Sequence, residues 1–216
     1  MAQEGKRQTH MAKRTTKQLV LLLVVGLAFC LIWWRDRRRA APEPIPSSGG
    51  AALHLPAASD GVHFLQGDPR WASDAIGGSC EPLAAVGCTV YAVAMGASQL
   101  GCEMTPKELN ANLVQGSGYT RQGWIIWSKV RPASQDRIRV RVPARLTHAE
   151  IDQSLQAGGG PIVKSYLPSG ISHWVPIVGK DGTDYLIRDS MDLETQVVPL
   201  TKRTAAIASV RYVEKR

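Results

Sequence analysis

The feature that most restricts the fold of this chain is a hydrophobic run near its N-terminus. Residues 19–34 carry no charge, and basic residues lie on both sides of them. As a helix, at about 1.5 Å per residue, the run would span about 24 Å, slightly less than a hydrocarbon core of about 30 Å. Snorkelling by Lys17 and Arg35, and the interfacial preference of Trp33 and Trp34, can cover the difference. The run therefore predicts one transmembrane anchor.

Two other interpretations of this run stay open. One is a cleaved secretory signal, although Arg-Asp-Arg-Arg-Arg follows where small residues would be expected. The other is a lipoprotein signal at Cys30, although Phe29 is bulky for the preceding position. The basic flanks are nearly balanced, so the positive-inside rule does not decide the orientation. The composition of the following tether and the odd number of other cysteines favour a single-pass protein of the inner (cytoplasmic) membrane, with its folded part on the periplasmic or extracellular side.

Composition divides the chain into four segments. They are a basic tail (1–18), the anchor (19–34), a linker rich in Pro, Ala, Ser and Gly (35–59) and a folded domain (60–216). Residues 1–40 hold nine Lys and Arg against two acidic residues, so seven of the eight net positive charges lie there. The folded domain has no general field for a polyanion, and we expect no nucleic-acid partner.

Helix signals come first in the folded domain. Apolar residues recur at helical spacing from Cys88 to Leu100, and Gly101 can end that helix. A capping box with Pro at the first helical position begins at Thr105, and Thr147 begins a third helix.

Strand signals follow the helices. A basic, alternating run at 138–142 predicts a strand with one solvated face. Short β-rich runs follow at 161–167, 173–179, 184–189 and 195–200, and Lys180-Asp181-Gly182-Thr183 is a hairpin signal between the middle two. Helices followed by an antiparallel sheet predict an α+β fold, in which N-terminal helices pack on the sheet after one N-terminal transmembrane helix.

Three cysteines, Cys80, Cys88 and Cys102, lie in the folded domain. They form no Cys-x-x-Cys pair, and His-Glu-x-x-His is absent, so we expect no metal site and no cofactor. One disulfide between Cys80 and Cys102 is a hypothesis that would suit an exported thiol enzyme and would leave Cys88 free.

Cys88 also has the sequence context of a nucleophile. A helix N-terminus favours the thiolate, and a His can take the thiol proton. His173 begins a predicted strand, and Asp189 closes the strand after the hairpin, where it could hold the imidazole in one tautomer. Gln66, upstream, could donate to an oxyanion. Asp192 is a substitute for Asp189 if that carboxylate points away.

At this point the chain resembles a known family. The ordered motifs are Gln-Gly-Asp-Pro-x-Trp from Gln66, Gly-Cys-Thr-Val-x-Ala-Val-Ala-Met around Cys88, His-Trp-Val-Pro-Ile-Val-Gly from His173 and Tyr-Leu-Ile-Arg-Asp-Ser ending after Asp189. They are similar to those of papain-like cysteine peptidases related to bacteriocin leader peptidases, family thirty-nine of the cysteine peptidases, and especially its stand-alone "like" branch. The resemblance covers about residues 63–192.

The resemblance implies a papain-like cysteine peptidase fold and a peptide or protein substrate. It implies that Cys88 is the nucleophile, His173 the general base, Asp189 the orienting group and Gln66 an oxyanion donor. The chain departs from the family after Cys88, where a small residue and Pro are usual, and at Ser190, where Pro is usual. The chain has neither the multiple spans nor the phosphate-binding loop of a leader-peptidase exporter, so no nucleotide partner and no double-glycine processing are implied.

Other functions and roles stay open. A peptidoglycan-directed cysteine amidase or endopeptidase would show the same order of thiol and imidazole, and an inactive peptide-binding module would keep the same fold. His54, His63 and His148 are interpreted as surface or capping residues. Trp124 and Trp127 are interpreted as core residues.

Overall fold

The computed structural model describes residues 43–58, 61–192 and 196–216. The predicted basic tail, the predicted anchor at 19–34 and the first part of the predicted linker lie outside these residues. Within the described ranges, no helix combines the length and the apolar character that a membrane crossing requires.

Five α-helices lie in the described part of the chain. They are α1 (Leu83–Val86), α2 (Cys88–Gln99), α3 (Pro106–Gln115), α4 (Val130–Ala133) and α5 (His148–Gln156). The helix predicted at Cys88 is confirmed. The capping box is also confirmed, since the Thr105 hydroxyl accepts from the Glu108 backbone N–H while the Glu108 carboxylate accepts from that of Thr105.

Eight strands form two antiparallel sheets within the described residues. They are β1 (Ile45–Pro46), β2 (Ser48–Leu55), β3 (Ile138–Arg141), β4 (Gly160–Tyr166), β5 (Ser172–Arg188), β6 (Val197–Pro199), β7 (Ala206–Ile207) and β8 (Ser209–Lys215). The larger sheet has the order β2-β5-β4-β8-β3, with β6 also paired to β5, and β1 pairs with β7. The predicted α+β combination of helices and antiparallel sheet is confirmed.

The larger sheet separates two hydrophobic clusters. Consecutive strand residues point to opposite faces, so Ile162 joins the cluster around α2 and α3, while Val163 joins the cluster that contains Ile151 of α5. The first cluster holds α2 against β4 and β5, which brings the N-terminus of α2 to the sheet beside the start of β5.

Within the predicted linker, residues 45–46 form β1 and residues 48–55 form β2. A Cβ on Gly49 would lie 2.6 Å from His148 Nε2, and one on Gly50 would lie 2.3 Å from Asp152 Oδ2. These glycines therefore permit close packing on α5, and they do not mark a flexible tether. The Lys180 ammonium donates to the Gly49 carbonyl at 2.8 Å.

The chain reverses at the predicted hairpin turn, 180–183, but the structure has no break in the strand there. Lys180, Asp181 and Gly182 are paired with β2 inside a single 17-residue strand, β5. The chain reverses along β5, because a straight strand of that length would span about 55 Å, whereas His173 near its start hydrogen-bonds Asp189 just beyond its end. Lys180 is fully buried and bonded to Asp152 at 2.6 Å, so it is not an exposed turn residue.

The hypothesised disulfide is not present, because Cys80 and Cys102 are both free thiols. Cys80 lies in an exposed segment with a positive φ of 62°. Cys102 is buried beyond the end of α2, and its sulfur lies 3.9 Å from the Arg137 carbonyl oxygen. The two sulfurs therefore occupy different environments.

Candidate active site

Cys88 is the first residue of α2, as its sequence context predicts. It follows Gly87, where a Cβ would lie 2.5 Å from the Leu83 carbonyl oxygen, so glycine permits the tight passage from α1 into α2. The following two turns of α2 are buried in the first hydrophobic cluster, which fixes the position of the thiol. Cys88 itself is partly exposed, as a nucleophile must be.

His173 and Asp189 form a buried pair beside Cys88. The His173 Nε2 lies 2.7 Å from the Asp189 Oδ1, and the two residues are 3% and 4% exposed. The imidazole and the Cys88 thiol line the same cleft, and each shifts the pKa of the other. Because Asp189 occupies Nε2, Nδ1 is the nitrogen left for the thiol.

Asp189 is itself held in place by several groups. The Met191 backbone N–H donates to its Oδ1 at 3.0 Å, and the Arg203 Nε lies 3.7 Å from its Oδ2. The His63 Nε2 lies 2.8 Å from the Asp189 backbone oxygen, so His63 packs against the site and is not only a surface residue. Asp192 pairs with Arg203. Asp189 is thus the carboxylate that bonds the imidazole.

The electrostatics of these three groups favour a charged pair. Burial disfavours the His173 imidazolium, but its hydrogen bonds to Asp189 and Cys88 outweigh burial and raise its pKa to about 9. Burial likewise disfavours the Cys88 thiolate, but the hydrogen bond and charge of His173 outweigh burial and lower its pKa. Burial also opposes the Asp189 carboxylate, whose pKa is nevertheless lowered by His173. A thiolate next to an imidazolium is the reactive form of a thiol enzyme.

Gln66 is fixed at the edge of the same site. Its Nε2 donates to the Ala84 carbonyl at 2.8 Å, and its Oε1 accepts from the Ser190 hydroxyl at 3.3 Å. Its backbone carbonyl accepts from the Tyr91 hydroxyl at 3.1 Å. This arrangement leaves one Gln66 Nε2 hydrogen for another acceptor. The Cys88 backbone N–H lies in the first turn of α2, where it has no acceptor within the helix, so both groups can donate to a bound oxygen.

A cleft of about 1080 Å³ contains Gln66, Cys88 and His173. Its lining includes four exposed large apolar side chains, Val86, Trp124, Ile171 and Met191. The prediction of a core role is wrong for Trp124, which is 71% exposed at this cleft. Trp127 is half-buried against Trp174, with ring centroids 5.4 Å apart. Exposed apolar groups around a concave site are typical of a binding surface.

The supporting roles of His63, Ser190 and Arg203 could not be predicted from the sequence. They contact Asp189 or Gln66 from segments far away along the chain, and no local pattern marks such contacts. Ser190 had a weak signal, because it stands where the resembling family usually has Pro. In the part of the chain that the structure describes, no three His, Cys, Asp or Glu side chains gather as metal ligands would.

Comparisons with known proteins give a likeness to solved structures. No protein-family model matches the chain, and no curated protein matches it. A solved structure from Bacillus anthracis, provisionally assigned as a C39-like peptidase, is 14% identical with a TM-score of 0.46, and the match covers 76% of this chain and 99% of that chain.

Proposed function

We propose that this protein is a membrane-anchored cysteine peptidase that hydrolyses peptide bonds. The observation that carries the proposal is the buried, hydrogen-bonded pair of His173 and Asp189, which lies with the Cys88 thiol at an open cleft and lowers the pKa of that thiol. A buried His would not need a thiol on one side and a carboxylate on the other for packing alone. The family resemblance of the sequence points to the same chemistry.

In the proposed mechanism, the Cys88 thiolate attacks the carbonyl carbon of the scissile bond and forms a C–S bond. The carbonyl π electrons move to oxygen, and the oxyanion accepts hydrogen bonds from the Gln66 side chain and the Cys88 backbone N–H. His173 gives its proton to the leaving amine as the C–N bond breaks, which leaves an acyl-enzyme. His173 then takes a proton from water, whose oxygen displaces the Cys88 sulfur to release the acid.

The proposed membrane anchor rests on the charge-free run at 19–34 and its basic flanks. With the folded domain on the outer side, substrates would be periplasmic or extracellular peptides or proteins. Protease accessibility of the folded domain in intact and permeabilised cells tests this location. Protection in intact cells that disappears on selective permeabilisation of the inner membrane would contradict it.

Reaction with a thiol-directed electrophile tests the proposed nucleophile. Iodoacetamide should label Cys88 faster than Cys80 at pH 6 to 7, although Cys80 is the more exposed thiol, because only Cys88 has an imidazole partner. His173→Ala should slow labelling of Cys88 by about tenfold or more, whereas it should leave Cys80 unchanged.

Turnover provides the second readout. Cys88→Ala should abolish hydrolysis of a peptide library without changing the melting temperature, and Cys80→Ala should retain full activity. Hydrolysis by a folded Cys88→Ala variant would remove Cys88 as the nucleophile. Fast, His173-dependent labelling would disfavour an inactive binding module, and hydrolysis of purified wall material in place of peptides would favour the peptidoglycan-directed enzyme.

A further inference from the structure

Two cationic side chains, Lys164 on β4 and Arg211 on β8, line the same cleft as Cys88. In the antiparallel pairing, Lys164 lies opposite Ser209 and Ile162 lies opposite Arg211. Lys164 and Arg211 are therefore diagonal neighbours on one face of the sheet, with Cα atoms about 7–8 Å apart. On the other side of β4, Lys164 is opposite Trp174, the residue directly after His173. The two cations thus lie next to the proposed active site.

Arg211 is held by aromatic rings and carries an uncompensated charge. Its guanidinium carbon lies 5.2 Å from the Trp127 ring centroid and 5.5 Å from that of Trp174. Its Nη1 donates to the Ser209 hydroxyl at 2.7 Å and the Val210 carbonyl at 2.6 Å, while its buried Nε has no acceptor. Burial lowers the pKa of Arg211, as expected for a cation without a carboxylate partner.

Lys164 is equally without a counter-ion. Its ammonium lies 5.4 Å from the Tyr166 ring centroid. Among the residues that the structure describes, no carboxylate lies within 4.0 Å of either Lys164 or Arg211. Of the carboxylates that line the cleft, Asp68 pairs with Arg70, which lies outside the lining, and Asp192 pairs with Arg203, whereas Glu81 has no ion pair within the described residues. Two like charges on neighbouring strands repel each other unless an anion binds between them.

We propose that Lys164 and Arg211 form a subsite for a carboxylate of the substrate, so that the preferred substrates are acidic peptides. The inference rests on the proposed peptidase function, because it assumes that the cleft holds a peptide. The ammonium supplies a mobile point charge, and the aromatic walls keep the guanidinium in a fixed orientation. The apolar rim of the cleft, with Trp124 and Ile171, contacts the neighbouring residues of the peptide.

Binding to the Cys88→Ala variant of the full chain in detergent tests the subsite without turnover. The probes are short alanine-based peptides that carry one Glu or one Gln at successive positions, with free or amidated C-termini. We expect the best Glu peptide to bind at least about tenfold more tightly than its Gln counterpart, and this preference to weaken as ionic strength rises. The amidated set shows whether a side-chain carboxylate or the terminal carboxylate occupies the subsite.

Variants of the two cations localise the effect. Lys164→Gln and Arg211→Met should each reduce the Glu preference by about threefold or more, whereas Lys164→Glu should transfer the preference to Lys peptides. Arg145→Gln and Lys215→Gln remove exposed cations outside the cleft, so they should leave the Glu preference intact. Circular-dichroism melting identifies variants that unfold. If Arg211→Met does not fold, Lys164→Gln, at a partly exposed site, still tests the subsite.

The outcomes separate the subsite from the peptidase. Equal binding of Glu and Gln peptides by the folded Cys88→Ala protein overturns the subsite, even if the wild type hydrolyses both. A Glu preference without hydrolysis by the wild type refutes the peptidase but retains carboxylate recognition by these cations. Tighter binding of phosphoserine peptides than of every Glu peptide, or a Glu preference that survives both cation variants, also overturns the proposal.

Discussion

Replacement of Asp189 by Asn would remove the charge that stabilises the His173 imidazolium, with little change in shape. The wild-type His173 pKa of about 9, against an ordinary value of 6.5, corresponds to about 3 kcal/mol at about 1.4 kcal/mol per pH unit. Asp189 and Cys88 both contribute to this free energy, and the Asp189 hydrogen bond is the first of the interactions that raise the pKa. We expect Asp189→Asn to lower the His173 pKa by about one to two units.

The pH dependence of kcat/KM for peptide hydrolysis measures this change. The reactive state is thiolate plus imidazolium, so the wild-type rate should fall as pH rises through about 9, where His173 loses its proton. In Asp189→Asn this alkaline limb should move down by about one to two pH units. The acid limb should move to higher pH, because an imidazole that holds its proton less firmly stabilises the Cys88 thiolate less. The active pH range therefore narrows from both sides.

Asp192→Asn is the matched control, since Asp192 is a nearby carboxylate that pairs with Arg203. Its pH profile should stay close to that of the wild type. The same profile can be followed by alkylation of Cys88, which reports the thiolate directly. An unchanged profile in Asp189→Asn, or an equal displacement in Asp192→Asn, would refute the assignment of Asp189 as the group that polarises His173.

Three further predictions concern Gln66 and the packing of β2. Gln66→Ala should lower kcat by about 10²–10³-fold with little change in KM, measured by steady-state kinetics, because it removes an oxyanion donor; a change in KM alone would contradict that role. Lys180→Met should lower the free energy of urea unfolding by about 3–5 kcal/mol, because it leaves the Asp152 carboxylate buried without its cation. Gly50→Ala should lower the melting temperature more than Gly182→Ala does. Both glycines have positive φ, but only a Cβ on Gly50 meets Asp152. Equal losses of melting temperature would show that backbone strain dominates.

The helix that carries Cys88 could be predicted because its signals are local. The apolar spacing of α2 and the capping box of α3 depend on residues within three or four positions of each other, and both helices form as expected. The alternating pattern at β3 was equally local. The candidate residues Cys88, His173, Asp189 and Gln66 could be named because chemistry restricts which side chains can act as nucleophile, base and oxyanion donor.

The role of β2 could not be predicted from its composition. A segment rich in Ser, Gly and Ala has the composition of a linker, but its glycines let the backbone approach α5 and β5. Whether such a segment is a tether or a strand depends on a partner edge and on a buried ion pair between Lys180 and Asp152, which are distant in sequence. The hairpin signal coincides with the reversal of β5, but the signal did not show that the residues of the turn also pair with β2.

The amino-acid sequence is enough to predict the order of the reactive side chains, the helix that presents Cys88 and the α+β combination, because each depends on residue chemistry or on short-range periodicity. Only the three-dimensional structure shows that His173 bonds Asp189, that Cys80 and Cys102 are free thiols, and that Lys164 and Arg211 line one cleft without counter-ions among the described residues. These outcomes depend on sheet register and on burial. Both are set by contacts between residues far apart along the chain, where the free energy of packing outweighs local preference.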